Sequence, residues 1–213
     1  MSRNVKIINC GIGNIKSTHM AFEAIGSSVK VIDAPDQTSH TDVLILPGVG
    51  AFSRYMEVLA SQGWVDAIKE YLTLERPLLG ICVGMQALFE TSSERGIASG
   101  LEILPGKITK MPQSDDGSSG LRKLPFVNWS PVTAKDTVPA QNMFSGIAQG
   151  AFFYFVHSMV AVPQENHVEC ALARHNNVTV CAAVADGHIY GTQFHPEKSG
   201  PNGLKLLHNF MSS

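Results

Sequence analysis

"PLLGICVGMQALFE", residues 77–90, decides the fold. An apolar run without polar alternation, Leu78 to Ile81, leads into Gly80-Ile81-Cys82-Val83-Gly84, and the pattern after it predicts a helix over 83–92. A strand of that kind is buried on both faces, as in a parallel sheet covered by helices. Cys82 sits between two glycines at the strand-to-helix junction, which is the form of a nucleophile elbow with cysteine in place of serine. Such a turn forces strained backbone on the nucleophile, so its neighbours need side chains that are nearly absent. The sulfur would stand above the N-terminus of the next helix, where free N–H groups and partial positive charge favour an anion. The N–H of Val83 would point toward the place where an oxyanion forms. Taken alone, the same turn also fits a buried core cysteine.

Working outward, the first half alternates. Strand patterns at "VKIIN" (5–9), "VKVI" (29–32) and "VLIL" (43–46) are separated by amphipathic helices. One helix carries Ile15, Phe22 and Ile25 and ends at Gly26; a second carries Phe52, Met56 and Leu59; a third carries Trp64, Ile68 and Leu72 and stops before Pro77. The second half changes character. "AFFYFVHSMVAV", "HVECALARH", "NVTVCAAVA" and "HIYGTQF" are β-branched or aromatic segments broken by Gly and Asn, and they predict strands in hairpins. "SDDGSSG" (114–120) reads as a polar surface loop and "NGLKLLHNFM" as a closing helix. The expectation is one α/β domain over 1–213: a flavodoxin-like, mostly parallel central sheet flanked by helices, with an antiparallel β extension in the C-terminal half.

Composition excludes several classes. The chain has 213 residues, 44% hydrophobic and 16% charged, with net charge −2. No basic stripe points to nucleic acid and no apolar run is long enough for a bilayer span. The opening "MSRNVKIIN" enters a strand pattern directly, without a signal peptide, so the cytoplasm is the expected compartment. Four widely spaced cysteines (Cys10, Cys82, Cys170, Cys181) contain no C-x-x-C, and the eight histidines no H-E-x-x-H. Neither a disulfide framework nor a metal site is expected, and no cofactor is implied.

A nucleophilic thiol needs a base, and the base an orienting group. "GTQFHPEKSG" (191–200) offers both in His195 and Glu197. If the chain stays extended past Pro196, a period of two puts them on one side, where a carboxylate would fix the imidazole tautomer. In "LPGVGAF" (46–52), Gly48 and Gly50 flank Val49 at a strand end, and glycines there let backbone N–H groups face an anion or carbonyl oxygen. Each segment alone also reads as a plain turn. "GIGN" (11–14) lacks the third glycine of a dinucleotide fingerprint.

Together the three segments resemble class I (triad) glutamine amidotransferases, which carry a G-x-C-x-G elbow, a P-G-x-G loop ahead of it and an H-P-E segment near the C-terminus. "CGIGNIKS", "LILPGVGAF", "LGICVGMQALFETSSE", "YFVHS" and "TQFHPEKSGPNGLKLLHNF" extend the likeness, which is nearest to the glutaminase subunits of imidazole glycerol phosphate synthases. The resemblance implies a Cys82–His195–Glu197 triad that hydrolyses glutamine through a glutamyl thioester. It implies an oxyanion hole from Val83 and one of Gly48, Val49 and Gly50. It gives Gln86, Glu94, His157 and Ser158 as glutamine-binding residues. It also implies a separate (β/α)₈ cyclase partner that takes the ammonia into imidazole glycerol phosphate, with Asn14 and Lys198 facing it. The chain departs from the family pattern at Cys10 and Met159, usually tyrosines, and at "PFVNWS" (125–130), often "PHMGWN". Those departures leave open a relative that supplies ammonia for amination of a surface-polysaccharide sugar. Two rival readings of the same residues are a partner-independent γ-glutamyl thiol hydrolase and a flavodoxin-like binding module with an inert cysteine.

Overall fold

The computed structural model describes residues 4–38, 42–112, 124–175 and 177–212. The 114–120 segment expected as a loop lies outside them. In chain order the elements are β1 (Asn4–Ile8), α1 (Ile15–Ala24), β2 (Ser28–Ile32), β3 (Val43–Gly48), α2 (Phe52–Ser61), α3 (Trp64–Leu72), β4 (Leu78–Cys82) and α4 (Val83–Ala87). There follow β5 (Phe89–Ser92), β6 (Ala98–Ser99), β7 (Leu104–Lys110), β8 (Phe126–Ala134), α5 (Val138–Met143), β9 (Ala151–His157) and β10 (Met159–Pro163). The chain closes with β11 (Glu169–His175), β12 (Val178–Asp186), β13 (Ile189–Thr192) and α6 (Gly200–Ser212).

A nine-stranded sheet of order β2-β1-β3-β4-β13-β12-β11-β8-β9 forms the frame. The pairings β2-β1, β1-β3, β3-β4 and β4-β13 are parallel, and the remaining four are antiparallel. Its physical logic matches the composition. Every residue of β3 and of β4 is buried, as central parallel strands require. The helices cover this sheet with one apolar stripe each. Phe22 on α1, Phe52, Tyr55 and Leu59 on α2, Trp64 and Ile68 on α3, and Leu206, Leu207 and Phe210 on α6 are all buried. The first-half strands and helices therefore stand where the hydrophobic periods put them.

Two expectations fail. The helix predicted over 83–92 stops at Ala87, and 89–92 is strand β5. Met85, Leu88 and Phe89 have helical spacing, but β5 finds partners on both sides, β7 parallel and β6 antiparallel, and ladder pairing wins over the local period. The apolar run 151–162 is not a hairpin. β9 belongs to the large sheet, whereas β10 joins a second, four-stranded sheet of order β10-β7-β5-β6. The chain crosses between the sheets at Ser158, which lies in neither strand. That crossing sits against the end of β4, and the two sheets and the elbow meet around one cavity.

Candidate active site

At the elbow, Cys82 has φ 56° and ψ −110°, a backbone region costly for a residue with a side chain. The glycines beside it are required by contact. A Cβ on Gly84 would lie 1.8 Å from the Leu46 carbonyl oxygen, and one on Gly80 2.6 Å from the Gly84 oxygen. The thiol therefore projects from a turn pressed directly onto the sheet. Because α4 is a five-residue helix, its macrodipole is smaller than a ten-residue helix would supply, but the Val83 N–H at its first position remains unpaired within the helix.

His195 is brought to the elbow by its own backbone and by Ser199. Its N–H donates to the Tyr154 carbonyl at 2.9 Å. The Ser199 hydroxyl donates to the His195 carbonyl at 2.6 Å and accepts from Tyr154 N–H at 3.0 Å. Contrary to the extended form on which the sequence argument depended, Pro196–Lys198 is a 3-10 turn with proline at its first position, where a missing N–H costs nothing. That turn swings Glu197 back, and its Oε1 lies 2.8 Å from His195 Nδ1, both side chains being buried. Asn14 Nδ2 also donates to Glu197 Oε1, at 3.3 Å. With Nδ1–H donated to the carboxylate, Nε2 is left as the reactive nitrogen.

Burial works against a charged His195 ring. Hydrogen bonding toward Cys82 and Glu197, with the negative charge on each, outweighs it and lifts the pKa to about 10. Yet Nε2 makes no hydrogen bond of closed geometry. Thiol and imidazole are therefore near enough to bias each other's protons, while the contact between them stays open. Such contacts are commonly loose in unliganded active sites and tighten around substrate. The sulfur has two other neighbours, the Val156 carbonyl and the Gln193 amide nitrogen, each at 3.8 Å.

Cys82 and His195 open on a cavity of about 260 Å³, whose wall also contains Val49, Gly50, Val83, Gln86, Glu94, His157 and Ser158. Every residue assigned from sequence to catalysis, the oxyanion hole or glutamine is therefore in or directly behind one cavity. Glu197 lies behind His195, and Gly48 lies under the elbow, paired with Cys82 across β3 and β4. Glu94 Oε2 accepts from Phe52 N–H at 2.7 Å, at the start of α2, and Tyr55 OH donates to the Pro47 carbonyl at 2.8 Å. These bonds pin the Val49–Gly50 loop at both ends. Lys198 is exposed, with its ammonium 5.9 Å from the Tyr154 ring centroid.

Sequence reasoning passed over Gln193. It stands two residues before His195, so strand alternation already put it on the same side. It also missed His175 and Ser130, which carry no local signal. The other three thiols are buried away from the cavity. Burial raises Cys10, raises Cys170 to about 12 and raises Cys181 well above the ordinary thiol value. Among the described residues, no group of three or more His, Cys, Asp or Glu is placed to hold a metal, and no helix is long and apolar enough to cross a membrane.

Residues 6–213 match the family model of class I glutamine amidotransferases. The chain belongs to that family. As an amidotransferase it is an enzyme, and nearly its full length is shared with its relatives. It is 39% identical over 206 residues to an imidazole glycerol phosphate synthase subunit HisH of Syntrophotalea carbinolica, covering 97% of this chain and 98% of that one. A protein of the same name from Bacillus cereus is 40% identical over 207 residues, covering 97% and 93%. Among solved structures, PurLQS from Thermotoga maritima superposes on this amidotransferase with a TM-score of 0.74 at 17% identity, over 100% of this chain and 99% of that one. That likeness establishes the shared fold, a mixed sheet with a parallel half.

Proposed function

We propose that this amidotransferase is the glutaminase subunit of an imidazole glycerol phosphate synthase, one amidotransferase domain over 1–213, acting in the cytoplasm. The observation that carries the reading is a thiol and a carboxylate-bound imidazole opening together on a cavity sized for a small metabolite. Cys82 first gives its thiol proton to His195 Nε2, whose raised pKa favours the charged ring, and the sulfur then attacks the side-chain amide carbon of glutamine. The C–N bond breaks, His195 returns the proton to the leaving nitrogen, and ammonia departs from a glutamyl thioester. Water, deprotonated by His195, then attacks the thioester, and glutamate leaves as the thiol is restored. Glu197 holds the ring in the required tautomer and stabilises it when charged. The Val83 N–H with one from Gly48, Val49 or Gly50 forms the oxyanion hole, where one donor is typically worth about 10²–10³ in rate. Gln86, Glu94, His157 and Ser158 line the glutamine site.

In neutral water ammonia becomes ammonium and ceases to be a nucleophile, so it needs a protected route to an acceptor. The acceptor subunit is a (β/α)₈ cyclase, and the pair works as a heterodimer whose lyase chemistry belongs to histidine biosynthesis. An exposed apolar face beside the cavity supports a docked partner. Trp129 pairs with Tyr154 and Val127 with Val156 across β8 and β9, with Val127, Trp129 and Phe152 exposed. Val156 continues that face into the cavity wall, and Lys198 borders it at Tyr154. Asn14, the other residue expected to face the cyclase, donates to Glu197 behind His195.

The test is ammonia release from glutamine by the purified chain, alone and with a cyclase subunit of imidazole glycerol phosphate synthase. Turnover should be low alone, rise sharply with the cyclase, and vanish in Cys82→Ser. Full activity without a partner, or turnover of γ-glutamyl peptides in preference to glutamine, would refute it.

A further inference from the structure

A buried polar chain that the triad does not use runs through the antiparallel half of the large sheet. Ser130 on β8, His157 at the end of β9 and His175 on β11 are 3%, 5% and 0% exposed. Ser130 Oγ is 3.0 Å from His175 Nδ1, His175 Nε2 is 2.9 Å from His157 Nε2, and His157 Nδ1 is 2.8 Å from the Met159 carbonyl oxygen. The chemistry of its partners fixes the protons of His157. A carbonyl only accepts, so His157 Nδ1 carries hydrogen. Burial keeps that ring neutral, with its pKa lowered to about 4, so its Nε2 is bare and accepts. His175 must then donate from Nε2, and in the neutral ring Nδ1 accepts from the Ser130 hydroxyl. Both nitrogens of His157 are thereby engaged, and its ring offers glutamine a surface rather than a hydrogen bond.

The chain does not end at Met159. Its carbonyl also accepts from Gln86 Nε2 at 3.4 Å; Gln86 Nε2 donates to Gln193 Oε1 at 2.9 Å, and Gln193 Nε2 reaches Cys82 Sγ at 3.8 Å. A buried polar sequence thus connects the antiparallel half of the sheet to the nucleophile. It passes through the stretch of the cavity wall where the chain crosses from β9 in the large sheet to β10 in the small one at Ser158. Ladder bonds of a single sheet do not hold such a crossing on both sides, and another device has to. His175 is itself clamped: Phe126 stacks on it at 3.9 Å with planes 22° apart, and Phe155 meets it edge-on at 4.7 Å.

We propose that His175 is a positioning residue for glutamine. Acting through His157 on the Met159 carbonyl, it sets the 157–159 wall and the Gln86–Gln193 amide pair that donates toward the thiol. Ser130 fixes the tautomer that makes this possible. The proposal rests on the glutaminase reading above.

The test uses the full chain with its cyclase partner and compares His175→Leu, His175→Gln and Ser130→Ala with the unaltered protein. Two readouts are taken: steady-state glutamine hydrolysis, and inactivation of Cys82 by the glutamine-mimicking electrophile 6-diazo-5-oxonorleucine. Leucine leaves His157 Nε2 without its donor, and the expected result is a rise of about tenfold in KM and in the half-saturating analogue concentration, with kcat moved far less. Glutamine at 175 restores a donor and should recover most of the loss, an outcome that packing alone would not give. Ser130→Ala should raise KM about two- to threefold, a smaller loss because the rings stay in place. An unmoved KM in folded His175→Leu, or no recovery in His175→Gln, overturns the proposal. If His175→Leu does not fold, an unmoved KM in Ser130→Ala does so. Unaltered protein that neither turns over glutamine nor reacts with the analogue would instead bring down the glutaminase reading, and this inference with it.

Discussion

Gly84→Ala is the sharpest test of how the elbow is built. The added Cβ would sit 1.8 Å from the Leu46 carbonyl oxygen, an approach real Cβ atoms do not make. Relief needs more than ~1 Å of displacement between α4 and β3, and no flexible side chain is available to absorb it because the obstacle is backbone. Overpacking of this severity lies at or beyond the upper end of the usual range, about 3 kcal/mol or more. For a chain of this length that corresponds to a fall in melting temperature of roughly 6–12 °C. Activity should fall further than stability. Cys82 and Val83 are carried by the element that must move, and a misplacement of about 1 Å can cost ~10² in rate. Gly26→Ala is the control: Gly26 has φ +83° and nothing within 4 Å of the place its Cβ would take, so only the backbone conformation is strained. Its expected cost is about 1–2 kcal/mol with turnover unchanged. Thermal melts paired with the rate of Cys82 inactivation by the glutamine analogue decide the matter. A Gly84→Ala protein that melts within about 2 °C of the original, or reacts at the original rate, would refute the account of the turn.

Two further outcomes follow from the site. Glu197→Gln keeps the size of the group but can present an amide N–H to His195 Nδ1, favouring the wrong tautomer; glutamine turnover should drop on the order of 10²–10⁴ with KM little changed, as steady-state kinetics with the cyclase would report. The buried His157 predicts acid sensitivity. Its folded pKa, about 4, lies below its ordinary 6.5, chiefly through burial, with the charge of His195 adding to it and the Met159 carbonyl opposing it. The unfolded chain therefore binds the extra proton first, so this contribution is present above pH ~6.5 and is lost as pH falls toward 4, up to about 3 kcal/mol. Denaturant titrations at pH 7 and 4.5 should show a steeper loss for the original protein than for His157→Gln; equal losses would count against it.

The legible part of this fold was its parallel half. Uniformly apolar β3 and β4 and the stripes on α1, α2 and α3 are one-dimensional signals, and burial in three dimensions simply obeys them. The meeting of Cys82 and His195 at one cavity was legible because an elbow limits which residues can stand beside its cysteine. What stayed hidden depended on distant pairing. Nothing in "ALFETS" favours a strand until β7 arrives beside it. Nothing in "FYFVHSMVAV" marks a change of sheet, since no Gly or Pro interrupts the run at Ser158. The His–Glu contact was foreseen for a different reason than the one that operates: a 3-10 turn, rather than extended alternation, brings Glu197 to His195. His175 and Ser130 lie 45 residues apart on separate strands and meet only because β8 and β11 are neighbours.

The contrast among the four thiols has a practical consequence. Three are sealed in packed interior with their protons held tightly, and one opens on a cavity. A small alkylating reagent applied briefly to native protein should therefore consume one equivalent per competent molecule. On the glutaminase reading proposed above, the reagent then becomes a counter: the fraction of a preparation that can turn over is read from the stoichiometry of labelling, before any substrate is added.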